Sequence, residues 1–419
     1  MPDYLYYRYI PIGKTGGAMK IISVDVLKCR GACCVEGDDF FTINVRINTD
    51  EGIVGFGEAG VSYGVGADAA FGMCRDMAEV ILGMDPMDNE AIWDKLHRAT
   101  FWGMGGGTIV FAGISAIDIA VWDIKGKALG VPVYKLLGGK TNSRLRCYAS
   151  QIQFDWGPKS LPMLTYNDYR RATRHAIEDG YNCVKVDPLL WDTKGGFQTW
   201  STRGILTNEQ LRVSEERIAA VRAEGGDELD IILELHSYTD TNTVVELARV
   251  LEKYRILYCE EPTQPLNSAL FKTISAKTAL PLASGERIFS RWGFRPFLEE
   301  RSLSIIQPDV CNSGGITEVK KIADMAHVYD IGVQLHICGG PISTAASLQV
   351  EAAIPNFVIH EHHQGALLSG NIATCKYDYQ PVNGCMEVPE LPGIGQELTD
   401  EAIANAVEHI TVSGKARFG

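Results

Sequence analysis

The sequence predicts an α/β protein: a barrel of alternating strands and helices, preceded by an α+β unit. Three observations predict it. Residues 19–58 alternate apolar and polar side chains in two runs, MKIISVDVLKC and FFTINVRINTDEGIVGFGE. From Arg144 onward, short and fully apolar runs alternate with amphipathic stretches, which is the pattern of a parallel sheet covered by helices. Finally, three glutamates end three successive apolar runs at one spacing: Glu234 in IILELH, Glu260 in ILYCEEP and Glu286 in LPLASGER, each step being 26 residues (260 − 234 and 286 − 260).

Taken in order, the TDEG tetrad at 49–52 is a hairpin turn between two half-buried strands. Residues 67–100 and 108–130 carry apolar side chains at helical spacing, including Trp93, Leu96, Ile114, Ile117, Ala120, Val121 and Ile124. Gly130 and then Pro132 stop the second of these stretches. Strand-like runs then fall near 145, 183, 232, 257, 282, 305, 334 and 358, with helical stretches such as NEQLRVSEERIAAVRAEGG and TEVKKIADMAHVYD between them. Eight such strands close a TIM-type barrel, whose active site lies at the C-terminal ends of its strands. The expected organisation is an α+β unit over 1–141, the barrel over 142–365 and a turn-rich segment over 366–419 that returns to the first unit.

Bulk composition narrows the class. A hydrophobic content of 46% and a charged content of 22% are those of a soluble globular enzyme. A net charge of −13 argues against nucleic acid or an anionic membrane surface as partner. The 11 cysteines are scattered without a CxxC pair, which fits a reducing, cytoplasmic setting. Adjacent Cys33 and Cys34 read as plain loop or strand residues. No apolar run reaches the ~20 residues of a membrane-spanning helix. The opening MPDYLYYRYIPIGK lacks the apolar core of a signal peptide.

One strand–helix unit is about as long as the glutamate spacing, so the three carboxylates converge on one rim of the barrel. Converging carboxylates repel one another unless a cation sits among them. All-oxygen ligation points to a hard divalent ion such as Mg²⁺. The series continues with Asp309 in IIQPDV, His336 in VQLHIC and Glu361 in FVIHEHH, so a His/Asp pair and a further carboxylate join the same cavity.

In this order and spacing, the chain resembles the enolase superfamily through its mandelate racemase branch, and within it the D-galactonate and D-gluconate dehydratases. The segments that carry the resemblance are GIVGFGEAG, SAIDIAVWDIKGKALGVPVYKLLGG, CVKVDP, ELH, CEEP, GERIFSRWGF, IIQPDVCNSGGITEVKKIADMA and LHICGGPISTAASLQ. The resemblance implies a modified (β/α)₇β barrel beneath a capping domain. It implies that Glu234, Glu260 and Glu286 are the Mg²⁺ ligands, although most relatives carry Asp at the first position. It implies that Asp309 and His336 form the family's dyad and that Glu361 is the carboxylate of the eighth strand. A homo-oligomer is also expected from the family.

The chemistry agrees with these roles. A proton beside a carboxylate is very weakly acidic, and its removal requires a Lewis acid for the enediolate and a base near neutral pH. His336, oriented by Asp309, suits the base. Glu361, if protonated, could donate a hydrogen bond to the enolate, and Lys185 offers the substrate carboxylate a cation. His236 stands two residues past Glu234, so strand alternation turns both toward the barrel interior. In aldonate dehydratases a His here protonates the departing 3-hydroxyl. The racemases instead carry Lys-x-Lys on the second barrel strand, where this chain reads Lys185-Val-Asp187. Asp187 and Gln151 are assigned to substrate binding. The expected reaction is Mg²⁺-dependent dehydration of a small sugar acid to a 2-keto-3-deoxy acid. The alternatives are an epimerase or cycloisomerase of a related acid, or a dehydratase of a diacid sugar or of mannonate.

Several tempting patterns are weaker. His360 and His362 should point away from Glu361 in a strand, so they and His363 read as packing or loop groups. GMGGGT at 103–108 follows aromatic residues rather than a strand and is not a dinucleotide loop. LLGGKT at 136–141 has Tyr134 where a phosphate-binding loop needs Gly. Specificity is expected from loops near 31–40 and 59–67 and from the insertion 189–204, which reads as a lid or an oligomer contact.

Overall fold

Strands β1 (Ile21–Arg30), β2 (Phe41–Thr49) and β3 (Val54–Ala59) form an antiparallel meander in the computed structural model, which describes residues 18–35 and 38–417. The reading of the first 14 residues, and part of the 31–40 loop, lie outside the described residues. The 49–52 turn falls where the sequence places it, with Gly52 at φ +75°. A fourth strand comes from the far end of the chain: β13 (Glu408–Ser413) pairs antiparallel with β1, Ser23 facing Ser413. The C-terminal segment therefore does return to the first unit.

The stretch 67–100 is two helices rather than one. Helix α1 (Ala67–Ile81) ends before GMDPMD, where Gly83 adopts φ +76° and Pro86 prevents continuation, and α2 (Asn89–Ala99) follows. Helix α3 (Thr108–Leu129) is buried along most of its 22 residues and stops at Gly130, which is left-handed at φ +67°. It lies directly on β3. A Cβ at Gly57 would sit 1.9 Å from the Ala116 carbonyl oxygen, and one at Gly55 2.1 Å from that of Ala120, so only glycine permits this contact.

After the short helix α4 (Val133–Leu136) the chain alternates regularly. The strands are β4 (Arg144–Ser150), β5 (Cys183–Val186), β6 (Asp230–Glu234), β7 (Ile256–Glu260), β8 (Leu282–Ser284), β9 (Ile305–Ile306), β10 (Gly332–Val333) and β11 (His360–His363). Between them lie α5 (Tyr166–Glu178), α6 (Asn208–Gly225), α7 (Thr241–Leu251), α8 (Ser268–Ser275), α9 (Ser290–Glu300), α10 (Gly315–Val328) and α11 (Pro341–Ala353). Each strand pairs in parallel with the next, β11 pairs with β4, and a parallel bridge between Val333 and Phe357 joins the two ends. That is a (β/α)₇β barrel. β12 (Cys385–Glu387) adds an antiparallel flank to β4.

One side chain from each of six strands, together with Ile359, fills the barrel floor: Tyr148, Cys183, Ile232, Tyr258, Ala283 and Ile305. A second core between strands and outer helices holds the barrel, and a third holds the capping unit. At 25 cal/mol per Å² of buried apolar surface, these cores dominate the stability of the fold. The capping unit is fastened to the barrel rim by polar contacts. Trp93 Nε1 donates to the Gly314 carbonyl (2.8 Å), Asp118 accepts from Thr317 N (2.9 Å) and Oγ1 (2.6 Å), and Glu58 accepts from Gly340 N (2.6 Å) and Ser343 N (3.1 Å). Among the described residues no helix is long and apolar enough to cross a membrane. All 11 cysteines are free thiols.

Candidate active site

The strand ends gather the acidic residues at the C-terminal end of the barrel sheet. Glu234 and Glu260 are the last residues of β6 and β7, in register with each other across the parallel ladder. Glu286 lies two residues beyond β8. Ligand oxygens of the three come within 4.8 Å of one another. Glu260 Oε2 is buried and lacks a hydrogen-bond partner among the described residues, and Glu234 Oε2 is buried with the Lys185 ammonium 3.0 Å away. Glu234 is held down to about 2: burial opposes its charge, but His236 and Lys185 outweigh it. The Glu260 carboxyl is pushed well up, by burial and then by the Glu234 charge beside it. Two such groups cannot both ionise side by side without a further cation. All-oxygen, mutually repelling and with Glu260 Oε2 unpartnered among the described residues, the cluster fits a divalent metal ion.

Lys185, on β5, expected to meet the substrate carboxylate, is placed among the carboxylates of this cluster and Glu361. Its Nζ is 2.5 Å from Glu260 Oε1, 2.9 Å from Glu361 Oε1 and 3.0 Å from Glu234 Oε2, and its side chain is 2% exposed. It takes no part in the cavity wall. Glu361, expected to donate to the enolate if protonated, is engaged by the protein through both oxygens. Its Oε1 accepts from Ser150 Oγ (2.7 Å) and its Oε2 from Ile337 N (2.8 Å), so neither oxygen is free. Burial opposes its charge, but Lys185, His336 and His363 outweigh burial and hold the carboxyl well below the usual carboxylate range.

Two histidines face the cavity from opposite sides, each backed by an aspartate. His336, three residues past β10, places Nδ1 2.7 Å from Asp309 Oδ2 and Nε2 3.5 Å from Glu286 Oε2. Burial lowers the basicity of its imidazole, but Glu286, Asp309 and Glu361 outweigh burial and push it up to about 10. A divalent ion on Glu286 would draw it back toward neutrality. His236 places Nδ1 2.7 Å from Asp187 Oδ2 and Nε2 3.3 Å from Gln151 Nε2. Burial works against its charged form too, and Glu234 and Asp187 overcome that.

His236 reaches the cavity by a device that strand alternation does not describe. The strand ends at Glu234, and His236 and Ser237 take left-handed backbone at φ +46° and +58°. Glu234 Oε1 accepts from His236 N at 2.7 Å and closes the turn. Asp187, assigned to substrate binding from the sequence, is buried, with Oδ1 accepting from Leu189 N and Oδ2 facing His236 Nδ1, where it orients that ring. Gln151 does line the cavity, at φ +75°. Gln153 Nε2 donates to its carbonyl oxygen and thereby aims its amide nitrogen at His236.

The cavity holds about 280 Å³ and is walled by the capping unit as well as the barrel. Several of its residues went unread in the sequence. Arg287 binds both Glu286 and the buried Glu261. Asn312 and His363 also line it. His360 and His362 point outward, to Glu351 (2.6 Å) and Tyr181 (2.6 Å), as alternation requires, but His363 shares the inward face of Glu361. Period-2 alternation applied to 361 and 363 was the available signal.

Two family models cover the chain. The mandelate racemase / muconate lactonizing enzyme N-terminal domain matches residues 36–138, and the enolase C-terminal domain-like model matches 168–402. A D-galactonate dehydratase of Ralstonia nicotianae is 33% identical over 366 residues, 86% of this chain and 89% of the relative. A solved enolase superfamily member from Salmonella Typhimurium is 54% identical, with a TM-score of 0.91 over 94% of this chain and 100% of that one. The 3,6-anhydro-D-galactonate cycloisomerase of Zobellia galactanivorans is 26% identical, with a TM-score of 0.78 over 93% of this chain and 99% of that one. Matched over both units and carrying the acidic cluster at the barrel rim, the chain belongs to the mandelate racemase / muconate lactonizing enzyme branch of the enolase superfamily.

Proposed function

We propose that this chain is an acid-sugar dehydratase that converts an aldonate such as D-galactonate or D-gluconate to its 2-keto-3-deoxy acid. The observation that carries this reading is the pair of histidines, each held by an aspartate, facing one cavity beside the acidic cluster. Dehydration needs one group to take the α-proton and another to give a proton to the leaving hydroxyl. The dehydratase relatives support the substrate class.

His336 takes the α-proton at Nε2, with Asp309 fixing its tautomer through Nδ1. Glu234, Glu260 and Glu286 would hold the ion, taken as Mg²⁺ from its all-oxygen donors, and when bound it supplies positive charge for the substrate carboxylate. His236 gives a proton from Nε2 as the C3–O bond breaks and water leaves, while Asp187 holds its Nδ1. The resulting enol takes a proton at C3 and becomes the keto acid, so the balance is substrate to product plus one water. Gln151 stands where it meets the substrate beside His236. Lys185 and Glu361 brace the floor of the site and touch no reacting atom.

The cycloisomerase relative supports a second outcome, rearrangement of a related acid. Asp187 stands where a second lysine base would, and it is engaged with His236. Product NMR in ²H₂O separates the two. The His236→Asn variant is expected to lose keto-acid formation and retain exchange of the α-proton. Loss of exchange as well would remove His236 from the role of dedicated acid.

A further inference from the structure

Resting on the sugar-acid reading, we infer that the substrate is a monoacid whose far end is uncharged and lies against hydrocarbon, so that a terminal methyl is favoured and a terminal carboxylate refused. The first ground is charge. Around the cavity stand the three cluster glutamates, Glu261, Glu361 and the two aspartates behind the histidines, seven carboxylates in all. Two permanent cations answer them. Lys185 is enclosed beneath the cluster by three glutamates, and Arg287 is bound to Glu261 and Glu286. His363 is held neutral, its imidazole pulled down to about 4 chiefly by burial. A divalent ion on the cluster answers the charge of one substrate carboxylate. Among the described lining residues no further Lys or Arg awaits a second.

The second ground is the apolar part of the wall. Cys34, Phe154 and Leu190 pack with Val35 and Phe197 into one apolar cluster that also lines the cavity. Phe154 and Phe197 rings lie 6.2 Å apart, centroid to centroid. Leu190 and Phe197 belong to the 189–204 segment, and Cys34 and Val35 to the capping loop, so these two segments close part of the site with hydrocarbon. A hydroxyl against such a wall loses water without gaining a partner, and a carboxylate loses far more.

The test is calorimetric titration of the Mg²⁺-loaded protein with three six-carbon acids of galacto configuration that end in –CH₃, –CH₂OH and –COO⁻. The methyl-ended acid is expected to bind about 10-fold more tightly than the hydroxymethyl acid. The diacid is expected to bind about 100-fold more weakly than the hydroxymethyl acid. Phe197→Arg should raise diacid affinity about 10-fold in a protein with unchanged circular dichroism. Wild-type affinity for the diacid equal to that for the monoacids overturns the inference, as does a methyl-ended acid that binds more weakly than its hydroxymethyl counterpart. Keto-acid formation, measured on the same samples, reports on the dehydratase reading separately: the binding order without turnover leaves this inference standing and refutes that reaction.

Discussion

Replacing Lys185 by Met tests whether the lysine supports the site or binds the substrate. The structure gives it three carboxylate neighbours at 2.5, 2.9 and 3.0 Å, all effectively closed to water. Methionine keeps the length and removes the charge, so Glu234, Glu260 and Glu361 lose their shared cation. Removing one partner from a buried ion pair costs about 3–5 kcal/mol. For a chain of this size that corresponds to about 6–10 °C in melting temperature, at roughly 2 °C per kcal/mol. The assay is thermal unfolding followed by circular dichroism, in EDTA and again in Mg²⁺. In EDTA, Lys185→Met should melt about 6–10 °C below wild type. Mg²⁺ should raise the variant more than it raises wild type, because the ion brings charge to a cluster that has lost its own. A substrate-binding lysine would act otherwise: KM would rise while the EDTA melt stayed put. A shift below about 2 °C in EDTA, or an equal Mg²⁺ gain in both proteins, refutes the buried-brace role.

Two further outcomes follow from the polar groups around the cavity. Asp187→Asn removes the anion that fixes the His236 tautomer, so keto-acid formation should fall by about 10³- to 10⁴-fold. Exchange of the α-proton, read by NMR, should persist in that variant, and a parallel loss of exchange would contradict the division of labour between the histidines. Glu58 is buried where the capping unit meets the N-terminus of α11, and burial first, opposed by the Gly340 and Ser343 N–H groups, moves its carboxyl from 4.5 up to about 7. A raised acid stabilises the fold while protonated: that contribution is full below pH 4.5 and is lost as pH rises through 7. Urea midpoints should therefore show wild type losing about 3 kcal/mol relative to Glu58→Gln between pH 4.5 and 7, and a pH-independent difference would refute it.

The fold was legible because both of its periodicities are properties of single segments. Runs of consecutive apolar residues such as ILYC in β7 and IIL in β6 need burial on both faces, and a parallel barrel provides it. Other features depend on partners far along the chain. The pairing of β13 with β1 joins residues almost 400 apart, Ser23 with Ser413. The break between α1 and α2 was visible in Pro86, but amphipathic spacing on either side masked it.

The active site divides along the same line. The metal cluster could be read because its members sit at strand ends, and strand ends recur with the length of the repeating unit. The registers Glu234–Glu260 and Cys259–Leu282 make that recurrence physical, since parallel neighbours bring equivalent positions to one level. What the spacing could not assign is which way a charge is answered. Lys185 and Glu361 both lie on strands with inward-facing side chains, so the sequence allowed either to meet the substrate. Depth decides it: β5 and β11 hold them below the rim, where each is enclosed by the other and by the cluster. His236 shows the converse. It stands beyond its strand, and a left-handed turn closed by the carboxylate of Glu234 brings its ring back to the cavity. A residue of the acidic cluster thus also shapes the turn that carries the proposed acid, the Glu234 side chain spanning from strand end to His236 N. One side chain serves both the cluster and the turn, so a Glu234→Asp exchange should disturb both at once.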